Sequence, residues 1–316
     1  MAHQVETMAY AGEVPWHGLG VSVSNDLTPQ QMQQKAGLDW KVEKQDLVTA
    51  SGAKVDGKQA LVRTSDNKVL DVIGKGWNPV QNDEAFDFFS EYVLAGDMEM
   101  NTAGSLRDGN MVWALAKVKD SFTILGEDQV DSYLLFSNPH QYGKAIDVRF
   151  TPIRVVCNNT LSLSLGQQVE KSVSLNHRTQ FNPDSVKETL GIASEKFQLY
   201  KETAEFLSTK RFTVESLVQY YNEVFPRTYQ GKKEITVKDF TDLSSNGQKA
   251  YEVLDTQPGA EFGEGTWWQA LNSVTYLTDH QLGREADTRL TSAWFGANQS
   301  RKVKAVEKAV EYATVA

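Results

Sequence analysis

The chain has one cysteine, Cys157, among 316 residues. A single thiol excludes an internal disulfide and any multi-cysteine zinc site. Histidine is nearly as scarce. His3, His17, His140, His177 and His280 stand apart, with no His-x-x-x-His or His-x-His pair. No carboxylate cluster shows metal-ligand spacing either, so neither a metal nor another cofactor is expected. No apolar run reaches the roughly 18–20 residues that a membrane span needs. The opening MAHQVETMAY lacks a basic region followed by an apolar stretch, so no secretory signal is expected. A cytoplasmic protein without a membrane partner is the expectation. Nucleotide loops are missing too. Gly74-Lys75-Gly76 sits where a phosphate loop could, but Pro79 takes the place of a third glycine and no Gly-Lys-Ser/Thr occurs. The triplet reads as a glycine-bent strand end, with Lys75 available as a cation.

What the chain does have is core-forming material. Hydrophobic residues make up 40%, with 7 Trp, 11 Tyr and 14 Phe, enough to exclude disorder. The balance of 32 Lys+Arg against 41 Asp+Glu gives a net charge of −9. That sum is unevenly spread. Residues 1–138 hold 11 basic and 20 acidic side chains, and residues 181–316 hold 16 and 19. Residues 139–180 hold five (Lys144, Arg149, Arg154, Lys171, Arg178) against two (Asp147, Glu170). A basic island in an acidic chain matters because phosphates are met by local patches and not by net charge.

Patterning divides the chain into a β-rich part, residues 1–180, and a helical part, residues 181–316. A short helix opens at Thr28-Pro29 and runs to Lys35. Lys58–Thr64 and Lys68–Ile73 read as a hairpin about Ser65-Asp66-Asn67, and Gly104–Val118 as a second with Asp108-Gly109 at its turn. Between them, Asn82-Asp83-Glu84 starts a helix with Ala85, Phe88, Phe89 and Tyr92 on its apolar side. Val130–Phe136 and Ile146–Val156 are further strands. Asn182-Pro183 then opens a helix whose apolar residues Val186, Leu190, Ala193, Phe197, Tyr200, Ala204 and Leu207 form a heptad seam. That seam suits either a helix pair within the chain or an assembly surface. Val214–Phe225, Trp267–Leu282 and Ser300–Ala313 complete the helices, while 231–247 and 256–265 carry loop punctuation. The fold class is α+β: an antiparallel sheet packed on helices, followed by a mostly helical C-terminal region.

Residues fit for covalent chemistry are few. Cys157 follows an apolar strand and reads as a small buried hydrophobe. Asn158-Asn159 could cap a helix or bond to sugars and bases. In the island, Ile146, Val148 and Phe150 alternate with Asp147, Arg149 and Thr151, which turns Arg149 away from the buried face. Lys144, Arg149 and Arg154 could then line a groove, with Tyr142 and Phe150 as aromatic surface, as a single-strand binder requires. Arg178 lies in the same island.

Three stretches resemble a family of phage- and plasmid-encoded proteins grouped as a domain of unknown function. They are Met8–Gly20 with its Pro-Trp-His-Gly-Leu-Gly run, Ile153–Leu161, and Trp267–His280 followed by Trp294–Asn298. Separately, Leu38-Asp-Trp-Lys-Val42, the first hairpin, and Val72–Asn82 before a helix resemble the core of single-strand annealing proteins. That resemblance implies a sheet packed on a helix, subunits joined in rings or filaments, and single-stranded DNA in a basic groove. It implies Arg63 and Lys75 as strand contacts. The expected partner is therefore single-stranded DNA, bound by a homo-oligomer acting in recombination or replication without covalent catalysis. The candidate contacts are Arg63, Lys75, Lys144, Arg149, Arg154, Asn158, Asn159 and Arg178. A non-catalytic factor binding a host or phage protein is the first alternative. The second is an enzyme of unrecognised class, with its site near Asn158-Asn159 and His17.

Overall fold

A computed structural model of the chain describes residues 4–15, 18–154, 159–160, 163–164, 174–175, 183–227, 237–283 and 286–315. For 154, 159–160, 163–164, 174–175, 183–194 and 286–287 it describes the backbone alone. The fold is mixed α+β, with mostly antiparallel sheets first and a mainly helical C-terminal region after them. Two compact units emerge. One comprises residues 1–119, 133–150 and 164–194; the other comprises 120–132, 151–163 and 195–316. The second unit thus takes strand ends from the β-rich half as well as the C-terminal helices.

The larger sheet, most of it in the first unit, contains β1 (Val5–Ala11), β2 (Val21–Val23), β6 (Met98–Leu106), β7 (Met111–Ile124), β8 (Asp128–Pro139) and β9 (Ile146–Arg154). Its order is β9-β8-β7-β6-β1-β2, with β1 antiparallel to β6 and parallel to the edge strand β2. A smaller antiparallel sheet joins β3 (Val42–Val48), β4 (Lys54–Arg63) and β5 (Lys68–Gly74). Helices α1 (Pro29–Lys35) and α2 (Asn82–Ala95) pack on each other and on β6. Phe86, Phe88 and Phe89 of α2 enter a core with Trp40, Trp77, Ala103, Ala114 and Phe136. Gly104 is required where β1 crosses the β6–β7 hairpin. A Cβ there would lie 2.3 Å from the Trp113 ring and 2.4 Å from the Thr7 carbonyl oxygen.

The hairpin turns are held by one arginine. Arg63, at the end of β4, has a side chain only 7% exposed. Its Nη1 donates to Glu6 Oε2 of β1 at 2.8 Å. Its Nε and Nη2 grip the Asp66 carboxylate of the β4–β5 turn at 2.9 and 2.6 Å. The guanidinium lies 5.3 Å from the Trp40 ring. Gly109 of the β6–β7 turn approaches so closely that a Cβ there would stand 2.6 Å from Nη1. One planar, permanently charged fork therefore joins β1 and two turns, a role that lysine geometry does not reproduce.

A second buried polar set fixes the start of α2. Asn82 donates its amide to the Leu38 and Trp40 carbonyls at 3.1 and 3.3 Å. Its Oδ1 meets His140 Nε2 at 2.9 Å. Asn138 donates to the Val80 carbonyl at 2.9 Å. The helix cap itself is Gln81, one residue before the expected start, and its N–H donates to Glu84 at 2.9 Å.

The second unit takes α3 (Pro183–Thr209) from residue 195 onward, followed by α4 (Val214–Val224), α5 (Ser245–Glu252), α6 (Trp267–Tyr276), α7 (Ala286–Phe295) and α8 (Ala297–Val315). On the described half of the α3 seam, Phe197 and Tyr200 pack on Phe122, with ring centroids 5.2 and 6.1 Å apart. Ala204 and Leu207 are fully buried. This half of the seam is covered within the unit; the side chains of Val186, Leu190 and Ala193 lie outside the described residues. Trp267 packs edge-on to Tyr220 and stacks on Tyr312, while Trp268 donates its indole N–H to Asp128 at 2.7 Å. Deeper still, the Lys302 ammonium bonds Asp279 at 2.6 Å, and both side chains are buried. Burial presses the lysine pKa down and Asp279 opposes that pressure. No helix among the described residues is long and apolar enough to cross a membrane.

Two stability tests follow. Arg63→Met should cost about 2–3 kcal/mol in urea unfolding, the usual range for charged hydrogen bonds. The bond from Arg63 holds the Asp66 carboxyl at about 2, below its ordinary 3.8. A carboxylate depressed in the fold stabilises it above the unfolded pKa and loses that effect as pH falls to the folded one. The Asp66 contribution is thus complete above roughly pH 4 and fades toward roughly pH 2. Asp66→Asn should flatten that acid limb of the urea midpoint; an unchanged limb contradicts the assignment. At the other site, Asp279→Ala strands a buried ammonium and should destabilise by about 3–5 kcal/mol. The apolar pair Asp279→Leu/Lys302→Met should recover most of that loss in the same measurement.

Candidate nucleic-acid interface

The β4–β5 ladder has two unlike ends. At one, Arg63 pairs with Lys68 beside the buried clamp; at the other, Lys58 lies opposite Gly74. Beyond Gly74 the backbone folds into a loop, where the Lys75 N–H donates to the Gly57 carbonyl at 3.3 Å and the Trp77 N–H to Gly74 at 3.0 Å. The Lys44 ammonium pins this loop through the Lys75 and Trp77 carbonyls, at 3.1 and 3.2 Å, and the Asn78 side chain at 3.4 Å. Trp77 itself is buried. Lys75 is therefore held outward on a fixed backbone.

The turn between β8 and β9 reaches the same place. Its Tyr142 N–H donates to the Asp71 carboxylate of β5 at 2.7 Å. The Lys144 N–H closes the turn on the Gln141 carbonyl at 3.3 Å. Tyr142 is 45% exposed. Lys58 Nζ lies 5.3 Å from the centre of the Tyr142 ring. A Cβ at Gly74 would sit 3.9 Å from the ring edge, in ordinary contact. Lys58, Lys75 and Lys144 are exposed, and no carboxylate forms an ion pair with any of them among the described residues. Two acids temper the patch. Asp71 is engaged with the Tyr142 backbone, and Asp46, lowered in pKa chiefly by its Lys54 bond, also feels Lys75.

The expected contacts fare differently. Lys75 follows Gly74, whose Cβ position lies in contact range of the Tyr142 ring, and Lys144 is two residues beyond Tyr142 in the same turn. Arg63 lies apart from them: its side chain is buried and engaged by Glu6 and Asp66. Arg149 does alternate with the buried Ile146, Val148 and Phe150, but its side chain is 17% exposed and bonded to Asp147. A guanidinium already facing a carboxylate is a weakened phosphate ligand. For Arg154 and Asn159 only the backbone is described, where Asn159 pairs with Arg154 between β9 and β10 (Asn159–Thr160). Asn158 and Arg178, like Cys157 and His17, lie outside the described residues. Lys58 was not among the expected contacts. Its signal was the hairpin register, which sets it opposite Gly74 and so beside Lys75.

The patch combines cations with an aromatic face and contains no arrangement of nucleophile and base. Among the described residues no group of three or more His, Cys, Asp or Glu side chains could hold a metal ion. What it can do is neutralise a few phosphates and stack a base.

Comparison with known proteins adds a family. The family model for the domain of unknown function DUF932 matches residues 69–305, from the β5 strand into α8. No curated protein and no solved structure matches the chain. With well over half of its length inside that match, the chain belongs to the DUF932 family.

Proposed function

We propose that this chain is a phage-type single-stranded DNA binding and annealing accessory protein, acting in recombination or replication in the host cytoplasm. One observation carries the reading: the exposed Lys58 ammonium lies 5.3 Å from the centre of the half-exposed Tyr142 ring, with exposed Lys75 and Lys144 on the adjoining loop and turn and no carboxylate paired with any of the three among the described residues. The mechanism is physical. Ammonium groups neutralise backbone phosphates, Tyr142 offers a face to an unpaired base, and the strand's pairing edges stay open to a complement. A duplex presents no free base face, so the ring favours single strands.

Three lysines make a small site. A single-strand contact that neutralises Z phosphates has a salt slope of about −0.7Z, so one protomer should show a slope near −2. Contacts this few bind weakly alone, and assembly into a homo-oligomer would multiply them through effective concentration.

Fluorescence anisotropy of a labelled oligothymidylate at two salt concentrations tests this. Binding should weaken with salt, and Lys58→Ala/Lys75→Ala/Lys144→Ala should lose it by about tenfold or more. Tyr142→Ala should weaken single-strand binding by about fivefold to a hundredfold and leave duplex binding nearly unchanged. No binding at low salt, or full binding by the triple variant, overturns the proposal.

A further inference from the structure

The C-terminal signature stretches, Trp267–His280 and Trp294–Asn298, have no part in the strand-binding patch, yet they meet in the second unit. After α6 the backbone widens into a π-helical turn, Leu277–Gln281. Asn298, in the first turn of α8, donates its amide to the Thr278 carbonyl at 2.9 Å and to Leu282 at 3.5 Å. Short π turns are rare and occur frequently at functional sites.

Two guanidinium groups are mounted on this turn. Arg289 of α7 donates Nη1 to the His280 carbonyl at 2.8 Å. Arg301 of α8 donates Nη1 to Asn298 Oδ1 at 2.7 Å. Both acceptors are uncharged, and among the described residues neither arginine has a carboxylate partner. The turn's own acid, Asp279, is neutralised by Lys302. The Nε–H of Arg289 is buried and has no acceptor among the described residues. A buried charged donor left unmade is costly, and in native proteins it commonly signals a water or ion that completes it. The positive end of α8, a 19-residue helix beginning at Ala297, opens at the same turn.

The geometry points to an anion site here, taking one phosphate group between Arg289 and Arg301 at the start of α8. Guanidinium forks match the paired oxygens of phosphate, and each arginine is already oriented by one bond to the turn. The half-exposed His280, its ring 4.8 Å from that of Tyr276, borders the site. The site rests on other residues than the lysine patch and stands or falls separately from it.

Thermal unfolding of the full chain in inorganic phosphate, against chloride at equal ionic strength, tests the site. The midpoint should rise with phosphate along a one-site curve. Arg289→Gln/Arg301→Gln should abolish the rise, while the Lys58/Lys75/Lys144 triple alanine should keep it. If the glutamine pair fails to fold, Arg289→Lys/Arg301→Lys keeps the charge but loses the forks, and phosphate should bind about tenfold more weakly. A phosphate effect no larger than that of chloride overturns the site, as does one that survives in the folded double variant. In the wild type, competition for phosphate by a single-stranded oligonucleotide lacking terminal phosphates supports a backbone diester as ligand. Competition by thymidine monophosphate alone supports a free monoester. Both results uphold the site.

Discussion

Arg63 is the constraint on which the first unit depends. Its charge is nearly removed from water, so it persists only because Glu6 and Asp66 face it and Trp40 covers it. Meeting those conditions brings β1, the β4–β5 turn and the β6–β7 turn to one point. The β4–β5 hairpin is thereby fastened at its Arg63 end. Its other end, with Lys58 and Lys75, faces solvent beside the β8–β9 turn. The same two strands thus supply an internal clamp and an external cationic patch, and the first holds the second in place.

The acidity of the chain is compatible with that patch. Three lysines of the smaller sheet and its neighbours are balanced locally, Lys41 by Asp83, Lys54 by Asp46 and Lys68 by Asp108. Lys44 is satisfied by carbonyls of the 75–78 loop. Among the described residues, Lys58 beside Tyr142, Lys75 on the adjoining loop and Lys144 on the β8–β9 turn have no carboxylate partner. A net charge of −9 keeps long-range attraction for duplex DNA weak. Short-range contacts on a single strand are screened less than such long-range terms.

Much of the fold was legible because its elements carry local signals. The α1 start at Thr28-Pro29, both hairpins, the apolar face of α2 and the alternation in β9 all appear in the structure. The strand β1 was not legible, since Met8, Ala9, Tyr10 and Ala11 are all buried and no alternation marks such a strand. The helix α5 was missed as well; it begins inside a stretch read as loop punctuation. Among the candidate residues, Lys75, Lys144 and Tyr142 are exposed, as their polar neighbourhood in the sequence suggests. That Arg63 and Arg149 are engaged by carboxylates was not legible, because a sequence shows that a guanidinium exists but not which carboxylate faces it. Glu6 lies 57 residues from Arg63, beyond any local pattern.

The central claim is that a single strand lies across the Lys58–Tyr142–Lys75 surface. Photo-crosslinking with a bromodeoxyuridine-substituted oligonucleotide, followed by peptide mapping, tests it most directly. The account predicts adducts on the peptide containing Tyr142, lost at high salt and reduced by an unlabelled single strand more than by duplex. Adducts confined to other peptides, with Tyr142 unmodified, would contradict it.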